Sequence, residues 1–221
     1  LDKKLINITW VGRLCDFKIH ILLYTIKNLI RLSSKMNLKM IFNVVGDGPY
    51  SSKLNKIKIT HSKFSLNKYG NIENKKLTKI LLNNTDLFFG MGTSILESSS
   101  LSIPTVSLDY SYKPIKNDYK YKFIFMNKDY DLGHEISDKD CQRNNDSLQN
   151  ILNMVLKDSK KIGYLSYEYF NNNHRISEVT LKFLSAVKKS NLMYKDLDKK
   201  LFSKSILRKL YEFLRWKIIK K

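Results

Sequence analysis

The chain of 221 residues contains little cysteine and no long apolar run. Its two cysteines, Cys15 and Cys141, lie far apart and outside any CxxC motif, which favours a reduced, cytoplasmic setting over a disulfide framework. No stretch approaches the roughly 18 apolar residues that a membrane-spanning helix requires, and no signal peptide is visible. These absences predict a cytoplasmic protein that is soluble or peripheral to a membrane.

Acidic residues are also scarce, since 20 stand against 40 basic residues and give a formal net charge of +20. Such an excess makes nucleic acids, anionic lipids and phosphorylated ligands candidate partners. The lysines are nevertheless spread among many Asn and Ile residues. Because an A/T-rich genome also produces this mixture, genome composition is an alternative explanation of the positive charge. There is no RNP-type aromatic strand, zinc motif or basic recognition helix. We therefore expect no nucleic-acid partner, and a basic nucleic-acid-binding protein remains the alternative.

Apolar periodicity up to about residue 127 alternates between strands and helices. Helical spacing over 19–30 and 73–83 separates the apolar runs, and the pattern from about 146 onward is helical. Alternating βα units predict an α/β fold, a Rossmann-like doubly wound parallel sheet followed by C-terminal helices. The predicted strands are 5–11, 40–45, 63–69, 86–89, 104–108 and 123–126.

A glycine-hinged turn joins the predicted fourth strand to a helix. Gly90 and Gly92 let the backbone turn sharply and allow a ligand to approach closely. Thr93 or Ser94 is expected to cap the helix, whose free N–H groups would receive phosphate oxygens. Glu97, one turn further, would accept bonds from ribose hydroxyls. The alternative is an ordinary glycine turn with a capped helix and a solvated glutamate.

Two other loops and Asp109 follow predicted strands in the same way. Gly12 and Arg13 follow the first strand, with Lys18 close behind, and Gly46 and Gly48 follow the second. The carboxyl ends of parallel strands meet at one edge, where ligands of open α/β sheets bind. Arg13 and Lys18 suit a diphosphate, although each taken alone also fits a solvated basic loop.

Taken in order, these motifs resemble the retaining glycosyltransferases of the group 1 type, which have the two-domain GT-B fold. The resemblance covers about residues 5–190 and matches the C-terminal, donor-binding half. It rests on Val11-Gly12-Arg13-Leu14 with Lys18, Val45-Gly46-Asp47-Gly48-Pro49, Gly70, Asp86-Leu87-Phe88 with Glu97, and Ile103-Pro104-Thr105-Val106.

The resemblance implies a role for each part of the site. Arg13 and Lys18 would bind the diphosphate of a nucleotide-sugar donor, the turn at 92–94 would supply N–H groups, and Glu97 would hold the ribose. The substrate would be a nucleotide diphosphate sugar, with no metal or other cofactor required. A glycan or lipid-linked acceptor would bind a separate N-terminal domain, for which 221 residues leave no room. Because the chain starts at Leu1, directly before a core strand, we expect it to be a piece of a longer protein.

The sequence departs from the family pattern at three positions. Phe89 stands where the family has the first Glu of its Glu-x7-Glu motif, Ser102 replaces a glycine before the proline, and Ile19 replaces a glycine after the lysine. The loss of the first Glu removes an acidic contact near the donor sugar. A non-catalytic donor-like domain and a nucleotide-sugar epimerase of related fold therefore remain alternatives.

The C-terminal residues have a different pattern from the rest of the chain. We expect residues 1–190 to form the donor-binding domain and 191–221 a basic amphipathic helix, which carries Ile206, Leu210 and Leu214 on one face and Arg208 and Arg215 opposite. Such a helix can lie on an anionic membrane, here the inner face of the cell membrane. Packing against the domain or a missing N-terminal half is the equally weighted alternative.

Overall fold

The computed structural model of the chain describes residues 4–59, 61–115, 119–128, 130–136, 145–191 and 193. The chain divides into two compact units, Leu1–Val179 and Thr180–Lys221. The amphipathic pattern expected over 201–221 lies outside the described residues. Among the helices of the described ranges, none is both long and apolar enough to cross a membrane.

Six strands form a single sheet in the order β3-β2-β1-β4-β5-β6. The first five are parallel to one another, as expected for alternating βα units. The chain moves outward from β1 in one direction to β3, then returns to β4 on the other side of β1. The strands are β1 (Leu5–Val11), β2 (Lys39–Val45), β3 (Phe64–Gly70), β4 (Leu87–Gly90), β5 (Thr105–Ser107) and β6 (Lys122–Phe123).

The last strand corrects two expectations. β6 is antiparallel to β5, with Val106 opposite Phe123, so the sheet is mixed. The predicted strand over 123–126 is wrong beyond Phe123, because Ile124–Met126 form a 3-10 turn. A four-residue apolar run is too short for periodicity to separate a strand from a buried turn.

The helices follow the strands as expected from their apolar spacing. The short helix α2, after the Gly-Pro turn, was not predicted. The long helix α5 is broken at Asp158 (φ −154°, ψ 75°), whose carboxylate accepts a hydrogen bond from the Lys161 N–H at 2.9 Å. The helices are α1 (Asp16–Lys35), α2 (Ser51–Asn55), α3 (Asn74–Asn83), α4 (Thr93–Ser100), α5 (Leu148–Asn173) and α6 (Ile176–Lys189).

Alternate strand residues pack into two hydrophobic clusters. Val44 and Phe89 belong to the cluster formed with α1 and the first half of α5. Their neighbours Val45 and Phe88 belong to the cluster formed with α3 and α4. The sheet is therefore covered on both faces, which explains why β4 is buried along its whole length without polar alternation.

Candidate functional site

Sheet order places the loops after β1 and β2 next to each other at the carboxyl edge. The Gly12 N–H donates to the Val45 carbonyl at 3.0 Å, and the Leu14 N–H donates to the Asp47 carbonyl at 3.0 Å. The Gly46 N–H in turn donates to the carbonyl of Gly70 at the end of β3, at 2.8 Å. Backbone hydrogen bonds thus connect the loops after three strands into one rim.

A cleft of about 540 Å³ opens along this rim. Four of the residues predicted to bind the donor line it: Gly12, Arg13, Gly46 and Gly48. Its volume lies within the range typical of small-molecule sites. The remaining lining residues are Val11, Val45, Asp47, Asn71, Ile72 and Leu77.

Gly46 shows why this rim requires glycine. Its φ is +125°, in a region that other residues rarely adopt. A Cβ at this position would overlap the carbonyl oxygen of Gly12. The contact between the first and second loops therefore depends on the missing side chain.

The two predicted cations lie at the first loop. Arg13 is exposed at the cleft, and Lys18 Nζ lies 3.6 Å from the place a Cβ of Gly12 would occupy. Lys18 Nζ also lies 5.7 Å from the centre of the Phe17 ring. Within the described residues, neither cation has an acidic partner within salt-bridge distance. In the described part of the chain, no carboxylate therefore forms a salt bridge with either cation.

Asp47 is the only acid among the residues that line the cleft. The Ser51 hydroxyl donates to its carboxylate, and the Gly48 N–H donates to the same oxygen at 2.7 Å. These two bonds lower the pKa of Asp47 below its ordinary value. The carboxylate stays ionised at neutral pH and suits hydroxyl donors rather than phosphate oxygens.

The start of α4 differs from expectation in one respect. Neither Thr93 nor Ser94 caps the helix: Gly92 is the N-cap residue, with φ +66°, and no side chain accepts a capping bond. The Ser94 hydroxyl instead donates to the Met91 carbonyl at 3.1 Å. The Gly92 N–H donates to the carbonyl of Leu132 at 2.8 Å. A tertiary contact thus satisfies the N–H of the N-cap residue, and no side chain caps the N–H groups that follow it.

The other residues predicted from this turn do not line the cleft. Gly90, Gly92, Thr93, Ser94 and Glu97 are absent from its walls. They lie at the carboxyl end of β4, which pairs with β1 on the side opposite β2. Thr93 and Glu97 are exposed there. The predicted donor-binding residues therefore lie in two places, one group along the cleft after β1 and β2 and the other at the end of β4, on the opposite side of β1.

Phe89 is part of the core. Its side chain is fully buried, and its ring meets the Tyr121 ring edge-on, with 5.9 Å between centroids. The Phe89 side chain thus packs inside the core, where it is not accessible to a ligand.

Sequence reasoning missed one group of residues near this edge and the pairing within a second group. Asp109 itself was expected at the edge, because it follows a predicted strand. Asn71 and Ile72 line the cleft directly after Gly70, so the glycine that ends β3 could have pointed to them. Beyond β5, Asp109 and Lys122 are both buried, and Lys122 Nζ lies 3.7 Å from Asp109 Oδ1. No local motif indicates this second group, because the partners are 13 positions apart.

Asp109 also belongs to a group of potential metal ligands with Asp131 and His134. One ligand atom from each lies within 4.8 Å of the others. Lys122 Nζ donates to Asp131 Oδ2 at 3.3 Å, in addition to its contact with Asp109. The ammonium group thus offsets one of the two negative charges of these carboxylates.

Comparison with known proteins gives structural matches only. No family model and no curated protein matches the sequence. The structure of TarM matches with a TM-score of 0.52 at 19% identity, over 83% of this chain and 34% of TarM. The pneumococcal O-GlcNAc transferase GtfA, in complex with UDP and GlcNAc, matches with a TM-score of 0.50 at 16% identity, over 85% of this chain and 36% of GtfA.

A third match supports the same fold. A variant of TarM from S. aureus, in complex with fondaparinux, alpha-GlcNAc-glycerol and UDP, has a TM-score of 0.50 at 17% identity and covers 83% of this chain and 35% of its own. The chain thus spans about a third of the length of the structures it matches. These structures are GT-B glycosyltransferases. The described part of this chain therefore has the Rossmann-like α/β fold found in parts of GT-B glycosyltransferases.

Proposed function

We propose that this chain is the donor-binding part of a glycosyltransferase and that it holds a nucleotide diphosphate sugar at its carboxyl edge. One observation carries the proposal: the cleft after β1–β3 is lined by Arg13, and the Lys18 ammonium lies next to it beside Gly12. Neither cation has an acidic partner among the residues described. A cleft of this size with two uncompensated cations is suited to a diphosphate attached to a nucleoside.

We propose a uridine diphosphate sugar as the donor. Two of the similar structures contain UDP. In this chain, Arg13 and Lys18 would hold the diphosphate, and the turn at Gly92 would offer the Thr93 and Ser94 N–H groups. The ribose would bind Glu97, as the family resemblance implies.

The reaction would be sugar transfer, with retention at the anomeric carbon. The bond between that carbon and the diphosphate oxygen breaks, the acceptor hydroxyl oxygen forms the new glycosidic bond to the carbon, and the hydroxyl proton passes to the departing diphosphate. Negative charge grows on the departing diphosphate, where Arg13 and Lys18 stabilise it. The proposed reaction therefore uses side-chain cations for charge stabilisation and requires no metal ion.

The acceptor would bind outside this chain. Because the chain covers about a third of TarM and GtfA, an N-terminal domain would hold a glycan or lipid-linked acceptor, and this chain alone would be inactive. We propose a role in surface polysaccharide synthesis in the cytoplasm, at the inner face of the membrane. Loss of residues 200–221 would then abolish sedimentation with anionic vesicles, and unchanged sedimentation would refute the membrane contact.

Calorimetric titration tests the donor site directly. We expect wild type to bind UDP and Arg13→Ala or Lys18→Ala to lose roughly 10- to 100-fold in affinity, since a charge-assisted bond contributes about 1.5–3 kcal/mol. Lys157→Ala is the matched control, because Lys157 is exposed on α5, away from the cleft. ADP and GDP titrated in parallel would establish the preference for the base.

Two outcomes would contradict the proposal. If no nucleoside diphosphate binds, or if all four proteins bind UDP equally, Arg13 and Lys18 do not form the site. Retention on heparin that is lost at modest salt, without any response to nucleoside diphosphates, would favour the nucleic-acid-binding alternative.

A further inference from the structure

A buried ion network lies beyond β5, beside the turn that begins α4. Lys122, in β6, is 8% exposed, and Asp109 is 1% exposed. Lys122 Nζ lies 3.7 Å from Asp109 Oδ1 and donates to Asp131 Oδ2 at 3.3 Å. The Tyr119 hydroxyl donates to Asp109 Oδ2 at 3.1 Å. Buried charges are stable only when paired, so each member of this network depends on the others.

The network fixes one short segment, residues 131–136, which we call the strap. Asp131 begins the strap and is bound to Lys122. Further along, the Tyr110 N–H donates to the His134 carbonyl, and the Ile136 N–H donates to the Tyr110 carbonyl, both at 2.8 Å. The strap is therefore held at its first residue by an ion pair and at its far end by backbone pairing. Between them, the His134 N–H donates to Asp109 Oδ1 at 3.3 Å, and His134 Nδ1 lies 3.1 Å from Asp131 Oδ2.

Between these two attachments the strap contacts the glycine turn. The Leu132 carbonyl accepts the Gly92 N–H at 2.8 Å. Gly133 has φ +112°, and a Cβ there would lie 2.5 Å from the Leu108 carbonyl oxygen and 3.3 Å from Met91 Cβ. Such close packing leaves the strap no room to shift without moving the turn.

Gly92 matters because it is the N-cap of α4, where no side chain caps the helix. The described bonds that hold this turn are the Gly92 N–H bond to the Leu132 carbonyl and the Ser94 hydroxyl bond to the Met91 carbonyl. The contact from the strap satisfies the N–H of Gly92 itself and leaves the N–H groups of Thr93 and Ser94 without a side-chain cap. Displacement of the strap by even 1 Å would misplace donors that must meet a ligand at hydrogen-bond distance.

We propose that Lys122 is a positioning residue for the donor site: through Asp131 and the strap, it holds the glycine turn so that the start of α4 meets the donor diphosphate. The inference rests on the proposed function, because the turn matters to binding only if a diphosphate lies there. Lys122 itself does not touch the ligand. It acts through the Leu132–Gly92 hydrogen bond.

The test compares a ligand that carries the diphosphate with one that lacks it. UDP and uridine are titrated into wild type and Lys122→Met, by calorimetry for UDP and by ligand-observed NMR for uridine. We expect Lys122→Met to lose about tenfold or more in UDP affinity with uridine affinity unchanged, and Lys122→Arg to recover most of the loss. Lys128→Met is the matched control, since Lys128 is exposed just before the strap.

The other results overturn the inference. Equal losses for UDP and uridine would show a general structural effect, and unchanged UDP affinity would show that the turn does not need Lys122. If Lys122→Met does not fold, Asp131→Asn replaces it, because Asp131 is more exposed and Lys122 keeps Asp109. That variant must show the same selective loss of UDP affinity. Failure of wild type to bind UDP would instead refute the proposed function itself.

Discussion

The Phe89 ring packs edge-on against Tyr121, with ring centroids 5.9 Å apart, at the position where the family resemblance would place an acid. Both side chains are fully buried. The phenyl ring is thus a structural part of the core in this chain.

A glutamate at this position should therefore destabilise the fold and leave the site unimproved. Phe89→Glu removes a buried aromatic ring and places an unpaired carboxylate among apolar side chains, so we expect a loss of about 4 kcal/mol or more in unfolding free energy. Urea denaturation measures it. Phe183→Glu is the matched control, because Phe183 is 64% exposed, and its change should stay within about 0.5 kcal/mol. Equal unfolding free energies of Phe89→Glu and Phe183→Glu would show that the side chain at position 89 does not belong to the hydrophobic core.

Alanine substitutions at Gly46 and Gly70 should distinguish the energetic cost of a steric overlap from the cost of backbone strain alone. Gly46→Ala combines φ +125° with an overlap on the Gly12 carbonyl, whereas Gly70→Ala combines φ +62° with open space. We expect Gly70→Ala to cost about 1–2 kcal/mol and Gly46→Ala clearly more, with loss of UDP affinity. Thermal unfolding and calorimetry measure both. A Gly46→Ala variant as stable as Gly70→Ala would refute the described contact between the first two loops.

Asp131 should contribute less to the free energy of unfolding at acidic pH. Burial raises the pKa of Asp131, but bonds from the Gly133 N–H, His134 and Lys122 outweigh it, so the folded-state pKa lies below the ordinary 3.8. A depressed pKa means that the stabilisation is present above pH 3.8 and is lost as the pH falls through the folded-state value. Wild type should therefore exceed Asp131→Asn in unfolding free energy at pH 6, and the difference should shrink toward pH 3. A difference that grows on acidification would contradict the ion pairing.

Hydrogen exchange should reveal the link between Lys122 and the glycine turn. In Lys122→Met we expect faster exchange of the Gly92 amide, because its acceptor, the Leu132 carbonyl, belongs to the strap. The Gly12 amide, bonded to Val45 in the first loop, should keep its protection. Equal protection of Gly92 in both proteins would show that the strap holds its place without Lys122.

Much of the fold could be predicted from the sequence because apolar spacing reports burial. The runs at β1, β2 and β4 and the helical faces of α1 and α3 were recognisable for this reason. The same logic grouped Gly12, Arg13, Gly46 and Gly48 at one edge, where they line a cleft.

The rest depends on contacts between distant residues. β6 is antiparallel because the chain returns beside β5, which no local pattern around residue 123 indicates. The Gly92 N–H at the start of α4 finds its acceptor in Leu132, some 40 positions later. Lys122 and Asp131 pair only once the sheet edge has formed. Such tertiary contacts override local signals such as the Thr-Ser pair at 93–94.

Amide NMR during a UDP titration tests the central claim most directly. We expect shifts at both sides of β1, namely at Gly12, Gly46 and Asn71 along the cleft and at Thr93 and Ser94 at the start of α4. A second small cavity, near Arg31 and Ser147, should show none and serves as the internal reference. Shifts confined to that cavity, or no saturable shifts along the cleft, would contradict a nucleotide site at the carboxyl edge.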